Sequence, residues 1–499
     1  MKKDISFLLI ISSLFILFLF SCRQPVLTSP LGKSGCKKCH SLNLDRFHKI
    51  KCTFCHRGDN KASKLSIAHK GLLYHPAAIK NLSLTCKKCH PREVKRLLVS
   101  KHTTLKDEIY FVWKAFFPKE SPPSIQKLIY LDKTNNLKDP HSLVADLLCR
   151  RCLRCHLYSN GDNYKAVKHG MGCAACHMLP IYDRTAQYHK FLKIIPDKVC
   201  LSCHYNNFVG WDFYGRFDKD FDEAYRCPLI KGNNPPRPYG IEWHEMSKDI
   251  HKKAGFSCIT CHIIGACGCS VEAKNDKVFF KGKVYTLPKD LVGQKTLTCL
   301  DCHLYAPNNW ILAGPKLNQK IVGHRAQDIK RVSCACCHAR WAFVDIGRYL
   351  SLQIYPDYQM WQYLKVQECS EVETLIDRHT KYLDLPSQAY IKNQFTNKEL
   401  SGVWLESFYK RRWSPIALGF NKKGKLVVVR PLLDIYLSYI DKDGEIIFSN
   451  LHPKRTWLPY CPHTISKADI FRTLSIQNWL LGRTKTPEGL WLIKNSQIL

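Results

Sequence analysis

Nine copies of Cys-x-x-Cys-His constrain this 499-residue chain more than any other feature. They run Cys36–His40, Cys52–His56, Cys86–His90, Cys152–His156, Cys173–His177, Cys200–His204, Cys258–His262, Cys299–His303 and Cys334–His338, here numbered motifs 1 to 9. In this pattern the two thiols add across the vinyl groups of a haem as thioethers. The adjacent imidazole then reaches the iron as its proximal ligand. The expected covalent set is Cys36, Cys39, Cys52, Cys55, Cys86, Cys89, Cys152, Cys155, Cys173, Cys176, Cys200, Cys203, Cys258, Cys261, Cys299, Cys302, Cys334 and Cys337. The expected proximal iron ligands are His40, His56, His90, His156, His177, His204, His262, His303 and His338. Nine covalently bound haem c groups are the expected cofactors.

Zinc ribbons also use paired Cys-x-x-Cys, but they do not require His directly after the second Cys. Ten Cys-x-x-Cys pairs occur here, and the one without a following His, Cys149–Cys152, overlaps motif 4. With 22 His in 499 residues, chance supplies His at about one position in 23. Nine coincidences of that kind set zinc aside.

The formal charge of +35 would by itself suggest nucleic-acid binding. Export, argued below, excludes that partner. Nine haems would bring eighteen propionates, which Lys and Arg must solvate or pair, and a cationic surface would still be left over. At 45% hydrophobic residues the composition is not that of a disordered chain.

Lys2 and Lys3 precede Ile5–Phe20, an apolar or hydroxyl run. At about 1.5 Å per residue it falls short of a bilayer's ~30 Å core, so it reads as the h-region of a signal peptide over residues 1–21. Leu19-Phe20-Ser21-Cys22 resembles a bacterial lipobox, with Phe20 larger than usual there, and predicts lipidation of Cys22. Residues 22–35 then form the lipidated tether. Arg23, rather than Asp, after the Cys favours an outer-membrane lipoprotein facing the periplasm or the exterior.

The nine-haem region is expected over 36–338. Successive motifs start 16 to 66 residues apart with no fixed period, which excludes a solenoid. Too little chain accompanies each motif for a separate core. The expected fold is therefore mostly irregular, with short helices around a multihaem stack. The longest interval, Arg92–Asp146, has room for helix, such as Glu108–Phe117 before Pro118. Pro235, Pro236 and Pro238 predict an extended linker. From Ala339 onward no motif occurs. Asp441–Gly444 lies between Ile435–Ile440 and Glu445–Phe448, and Asn421–Gly424 precedes Leu426–Val429. These turns predict a haem-free, β-rich C-terminal domain over 339–499, with Trp404, Trp413, Trp457, Trp479 and Trp491 as core aromatics.

Thirteen His are spare, against only four Met beyond the initiator, so bis-His ligation is expected for most irons. The distal candidates are His48, His69, His75, His102, His141, His169, His189, His244, His251 and His324. His379, His452 and His463 rank below them. Which His serves which iron is not readable from spacing. Eight cysteines lie outside the motifs. Among them, Cys336 sits inside motif 9 and could compete for a vinyl group.

Several segments resemble a family of outer-surface or periplasmic multihaem cytochromes of metal- and sulfur-respiring bacteria. They are LTCKKCHPREVKRLLVSKH, DLLCRRCLRCHLYSNGDNY, GMGCAACHMLP, CLSCHYNN, RPYGIEWHEMSKDIHKKAGFSCITCH, VSCACCHARWAF and PYCPHTISK, scattered from Leu84 to Lys467. The resemblance implies electron transfer. Family members often carry further motifs where this chain has Asp345–Tyr349 and Leu474–Asn478, which read as lost haem sites.

The expected function is electron transfer in the periplasm or at the outer membrane during anaerobic respiration, toward an extracellular acceptor. A carrier of this kind is not an enzyme. Expected partners are redox proteins, namely other cytochromes, an outer-membrane porin or a quinol oxidase, together with the membrane through the lipid anchor. The alternative is a multihaem oxyanion reductase for nitrite, selenite or tellurite. That chemistry needs an open iron position; the Cys-x-x-Cys-Lys site of pentahaem nitrite reductases is absent, and no residue is singled out as catalytic.

Overall fold

The computed structural model describes residues 35–133, 137–161, 168–179, 189–204, 210–218, 243–262, 277–289, 296–355 and most of 389–498, apart from isolated positions, with a few more between 369 and 378. The leader, Cys22, nearly all of the tether, the Pro235–Pro238 segment, Cys227, Cys267, Cys269 and His379 lie outside the described residues. Among those described, no helix is long and apolar enough to cross a membrane. The chain divides into two units. One comprises Met1–Tyr74 with Ala186–Lys190; the other comprises His75–Thr185 and Phe191–Leu499.

In the smaller unit, motif 1 begins on a 3-10 turn at Gly35–Lys38 and motif 2 forms the helix Cys52–His56. Gly35 has φ +62°, and a Cβ there would lie 2.0 Å from Asn60 Oδ1. That oxygen accepts the Cys36 N–H at 2.9 Å, so glycine lets the motif dock on Asn60.

The larger unit carries the longer helices. α1 (Pro91–Val99) starts directly after His90 with Pro at its first turn, where the missing N–H costs nothing, and buries Val94 and Leu97. α2 (Lys106–Phe116) covers the helix expected over Glu108–Phe117 and buries Ile109, Val112 and Trp113 at i, i+3 and i+4. α3 (Pro140–Arg150) is capped by Asp139, whose side chain accepts the Ser142 N–H at 3.1 Å. Ser142 through Arg150 are all buried. α4 (Asp197–His204) contains motif 6, α5 (Cys334–His338) is motif 9, and α6 (Ile470–Leu480) lies near the C-terminus.

Among the described residues, two four-stranded sheets and two two-stranded ones make up the C-terminal region. The first joins β1 (Arg348–Gln353), β2 (Val403–Ser407), β5 (Ile435–Ile440) and β6 (Ile446–Leu451) in the order β6-β5-β1-β2. The β5–β1 pair is parallel and the others antiparallel. The second joins β3 (Leu418–Phe420), β4 (Leu426–Pro431), β7 (Trp457–Pro459) and β8 (Leu492–Ile493) in the order β7-β4-β3-β8. Both expected hairpins form. The Asp441–Gly444 turn joins β5 to β6, and the Asn421–Gly424 turn joins β3 to β4. Burial alternates along β5, the period-2 signature of a sheet with one face covered.

α3 covers that face. Leu143, Leu147 and Leu148 pack with Leu350, Leu352, Trp404 and Leu437 in one core. Each such Leu contributes up to about 1.5–3 kcal/mol by leaving water. A second core joins Ala335 and Cys336 of motif 9 to Leu418, Leu426 and Val428 and to Ile476 and Leu480 of α6. The β-rich region thus shares its cores with the segments that present motifs 4 and 9. The two stretches read as lost haem sites are regular here: Asp345–Tyr349 lies largely on strand, and Leu474–Asn478 is inside α6. Trp404 and Trp457 are core residues as expected, whereas Trp491 is largely exposed.

Candidate functional site

The motifs lie on single turns of helix. Motifs 2, 5, 6, 7 and 9 are α-helical, motif 4 is a 3-10 turn, and motif 8 enters a π turn at Asp301–Tyr305. At motifs 1 and 3 the backbone N–H of His40 and His90 closes onto Cys36 O at 3.0 Å and Cys86 O at 2.8 Å. Helical spacing puts residues i, i+3 and i+4 on one face. Both thiols could therefore reach one edge of a flat ligand from the face that also carries the imidazole. Position i+2 points the other way. Cys336 is fully buried in the β core, donates to Leu426 O at 3.4 Å, and has its thiol pushed up to about 12 by burial. It is a packing residue of that core.

Second contacts orient the proximal rings. Nδ1 donates to a backbone carbonyl in His56 (Leu73 O, 2.9 Å), His177 (Leu192 O, 2.8 Å), His303 (Pro315 O, 2.9 Å) and His338 (Ser466 O, 3.0 Å). That bond fixes the tautomer and leaves Nε2 as the nitrogen with a free lone pair. Gly314 packs flat on the His303 ring, where a Cβ would lie 2.3 Å from Cε1.

Among the described residues, six motif histidines face a histidine from outside the motifs. The ring centroids lie 6.0 Å apart for His40–His69, 5.7 Å for His56–His189, 6.1 Å for His204–His102, 6.3 Å for His303–His251, 6.1 Å for His262–His463 and 6.1 Å for His338–His324. Two imidazoles on opposite sides of one metal, each bonded at about 2 Å, place their centroids about 6 Å apart. The pairs fit axial ligation of an iron whose remaining positions a porphyrin fills. His156 and His169 make a seventh neighbouring pair, both 3% exposed, and Nε2 of His156 has no hydrogen-bond partner. Among the described residues no three His, Cys, Asp or Glu side chains are grouped so as to hold a metal ion, so each pair offers two ligands rather than the four of a closed zinc site.

An iron ligand must be neutral imidazole. Burial supplies this, holding His102, His189, His262 and His324 below the usual histidine range and pushing His156 to about 3 and His463 to about 4. The like charge of the facing ring adds to the effect at His189 (from His56), His324 (from His338) and His463 (from His262).

The expected distal set divides as follows. His69, His102, His189, His251 and His324 face motif histidines, and His169 lies beside His156. His141 is engaged by other side chains. Its Nδ1 meets Asp139 Oδ1 at 3.1 Å, its Nε2 meets Glu120 Oε1 at 2.9 Å, and Phe117 stacks on the ring at 4.1 Å. His48 has its Nδ1 held by Asp45 at 2.8–2.9 Å. His75 lies two residues before Ala77, whose carbonyl accepts the Cys173 N–H of motif 5 at 3.3 Å. His244 is on the strand Trp243–Glu245, and its side chain lies outside the described residues. His452 is exposed, with its ring against Tyr436 at 4.5 Å.

No family model, no curated protein and no solved structure matches the chain.

The residue underrated from sequence is His463. It faces His262 of motif 7 with rings inclined by only 25°. Its one advance signal was the Pro-Tyr-Cys-Pro-His-Thr phrase around it.

Proposed function

We propose that the chain is an exported multihaem c-type cytochrome that passes electrons along a set of covalently held haems, anchored to a membrane through Cys22. One observation carries the reading. Histidines placed by the helical-turn motifs face six partner histidines at the spacing of two axial ligands on one metal. Haem held there would supply a one-electron couple at each iron. The chain's own residues would do the rest: thiols fix one edge, backbone carbonyls orient four of the proximal rings, and burial disfavours the charged form of His102, His156, His189, His262, His324 and His463. Supplying both axial ligands leaves no open position for substrate at those six irons, which favours a carrier over an oxyanion reductase. The net positive surface suits anionic redox partners.

The test is intact mass together with ferric electron paramagnetic resonance of protein matured in a periplasm. The expected result is the processed chain plus nine haems, with predominantly low-spin signals. Fewer than six haems, or a dominant high-spin signal that shifts on adding nitrite or selenite, would remove the carrier reading.

A further inference from the structure

Within the smaller unit, cationic and exposed apolar side chains alternate along one short segment, Arg46–Phe54. The Asp45 carboxylate accepts the N–H of Phe47 at 2.9 Å and of His48 at 3.1 Å, and the Ile50 N–H closes onto His48 O at 2.8 Å. These turns leave Phe47 68% and Ile50 43% exposed, with Arg46, Lys49 and Lys51 exposed beside them. The Arg46 guanidinium lies 4.5 Å above the Phe47 ring. Phe54, whose N–H donates to Lys51 O at 2.9 Å, is 40% exposed. Around this segment, residues 35–74 hold nine Lys or Arg against two Asp, more than twice the net charge per residue of the whole chain.

A bound haem would account for some exposed apolar groups here, since Leu65 and Ile67 adjoin His69, the ring facing His40 of motif 1. The Arg46–Phe54 segment differs on two counts. His69 and His189 already face His40 and His56, so the two irons of this unit need no ligand from it. Phe54 also holds position i+2 of motif 2, on the side of the turn away from its thiols. Aromatic and aliphatic side chains set among cations suit a bilayer interface, where rings sit at headgroup level and Lys and Arg meet anionic lipids. Placement favours the same occupant. Cys22 precedes Gly35 by thirteen residues, which reach no more than about 45 Å when fully extended. A lipid on Cys22 would therefore keep this unit beside a membrane, where effective concentration strengthens a second, weak contact. Resting on the export and Cys22 anchor proposed above, we propose that Arg46–Phe54 docks on an anionic lipid bilayer and holds the unit bearing motifs 1 and 2 against its surface.

The test separates the segment from the anchor by removing the lipid. Residues 23–499 are exported behind a cleavable, non-lipidating leader and loaded with haem. They are then sedimented with vesicles of phosphatidylcholine, alone or mixed with phosphatidylglycerol. The expected result is binding that needs phosphatidylglycerol and fades with salt. Arg46→Gln with Lys49→Gln and Lys51→Gln should weaken it about 100-fold. The charge-matched control, Lys422→Gln with Lys423→Gln and Lys442→Gln at exposed hairpin turns of the larger unit, should weaken it less than about tenfold. Phe47→Ser with Ile50→Ser leaves the charge alone and should weaken it at least about tenfold. Equal losses in the two charge variants would mean attraction by the whole protein and would overturn the docking segment. Equal binding to both kinds of vesicle would overturn it as well. So would an apolar variant that keeps its vesicle affinity while shifting a haem band or midpoint, since Phe47 and Ile50 would then cover haem. The unsubstituted chain, matured with its own leader, is weighed separately. No acyl mass on Cys22 would remove the anchor, and no haem would remove the cytochrome reading; the vesicle comparison alone decides the docking segment.

Discussion

Asp249 shows how much one side chain can govern at this site. It is 2% exposed; Oδ1 meets His251 Nδ1 at 2.9 Å, and Oδ2 accepts the Ile465 N–H at 2.7 Å. One carboxylate therefore orients the ring facing motif 8 and braces the segment that carries His463, the ring facing motif 7. A carboxylate on Nδ1 also makes Nε2 a stronger donor to iron. Asp249→Asn should weaken the His251–iron bond about 10–100-fold. The expected readouts are a higher midpoint for one haem and a growing high-spin ferric fraction, with nine haems retained; unchanged spectra and potentials would remove Asp249 from this role. His463→Ala should convert one further haem to high spin, and an unaltered low-spin population would release His463 from ligation. The motif histidines were legible in the sequence because the Cys-x-x-Cys-His spacing is local. Their partners were legible only as a pool. His102 faces His204, and His463 faces His262, across long stretches of intervening chain that only the folded core brings together. His141 has the composition of a ligand and the surroundings of a helix brace, a difference no spacing rule carries.

At the scale of elements, α3 fixes motif 4, because the motif follows its last turn directly. Asp146 and Arg150 pair at i, i+4 inside the core, with Nε to Oδ1 at 2.8 Å. Arg150 Nη1 also donates to the carbonyls of Leu400, Ser401 and Gly402, and Trp404 Nε1 donates to Asp146 Oδ1 at 2.7 Å. Breaking such a pair from one side strands a buried charge, so Asp146→Ala should cost about 3–5 kcal/mol. The expected observation is a lower unfolding temperature and loss of motif 4 haem by mass; a Tm equal to that of the parent would dismiss the anchor. At the other end of the helix, burial opposes the charged form of His141, but Glu120 and Asp139 outweigh it and raise the pKa. In Asp139, likewise, His141 and the Ser142 N–H outweigh burial and hold the carboxyl below its usual range. The His141 contribution is complete below its unfolded pKa of about 6.5 and is lost as pH rises through the higher folded value. The Asp139 contribution is complete above about 3.9 and is lost as pH falls through the lower folded value. His141→Gln should therefore flatten the stability loss above about pH 6.5, as read by thermal melts across pH. The hairpins at Asp441–Gly444 and Asn421–Gly424 were legible from turn chemistry. The packing of their sheets against α3 and α5 was not, since the buried faces of helix and sheet are each apolar and neither names its partner.

For the whole molecule, charge decides what approaches. A formal +35 against at most eighteen propionate charges would leave a nine-haem form cationic. Surface potentials of that kind raise the encounter rate of oppositely charged partners by about 10–10³ at low salt. The gain fades once the Debye length shrinks to about 8–10 Å at 0.1–0.15 M. Reduction by small one-electron donors of matched potential but different charge separates this steering from driving force. With a sulfonated, anionic viologen the bimolecular rate should fall as salt is raised from low ionic strength to 0.15 M. With the cationic dimethyl viologen it should rise, and a zwitterionic analogue should change little. The sign of the slope is what counts, because haem potentials also drift slightly with salt but drift equally for all three donors. Three parallel salt profiles would show that the cationic excess is spread away from the haem edges where electrons enter, and would end the case for anionic partners.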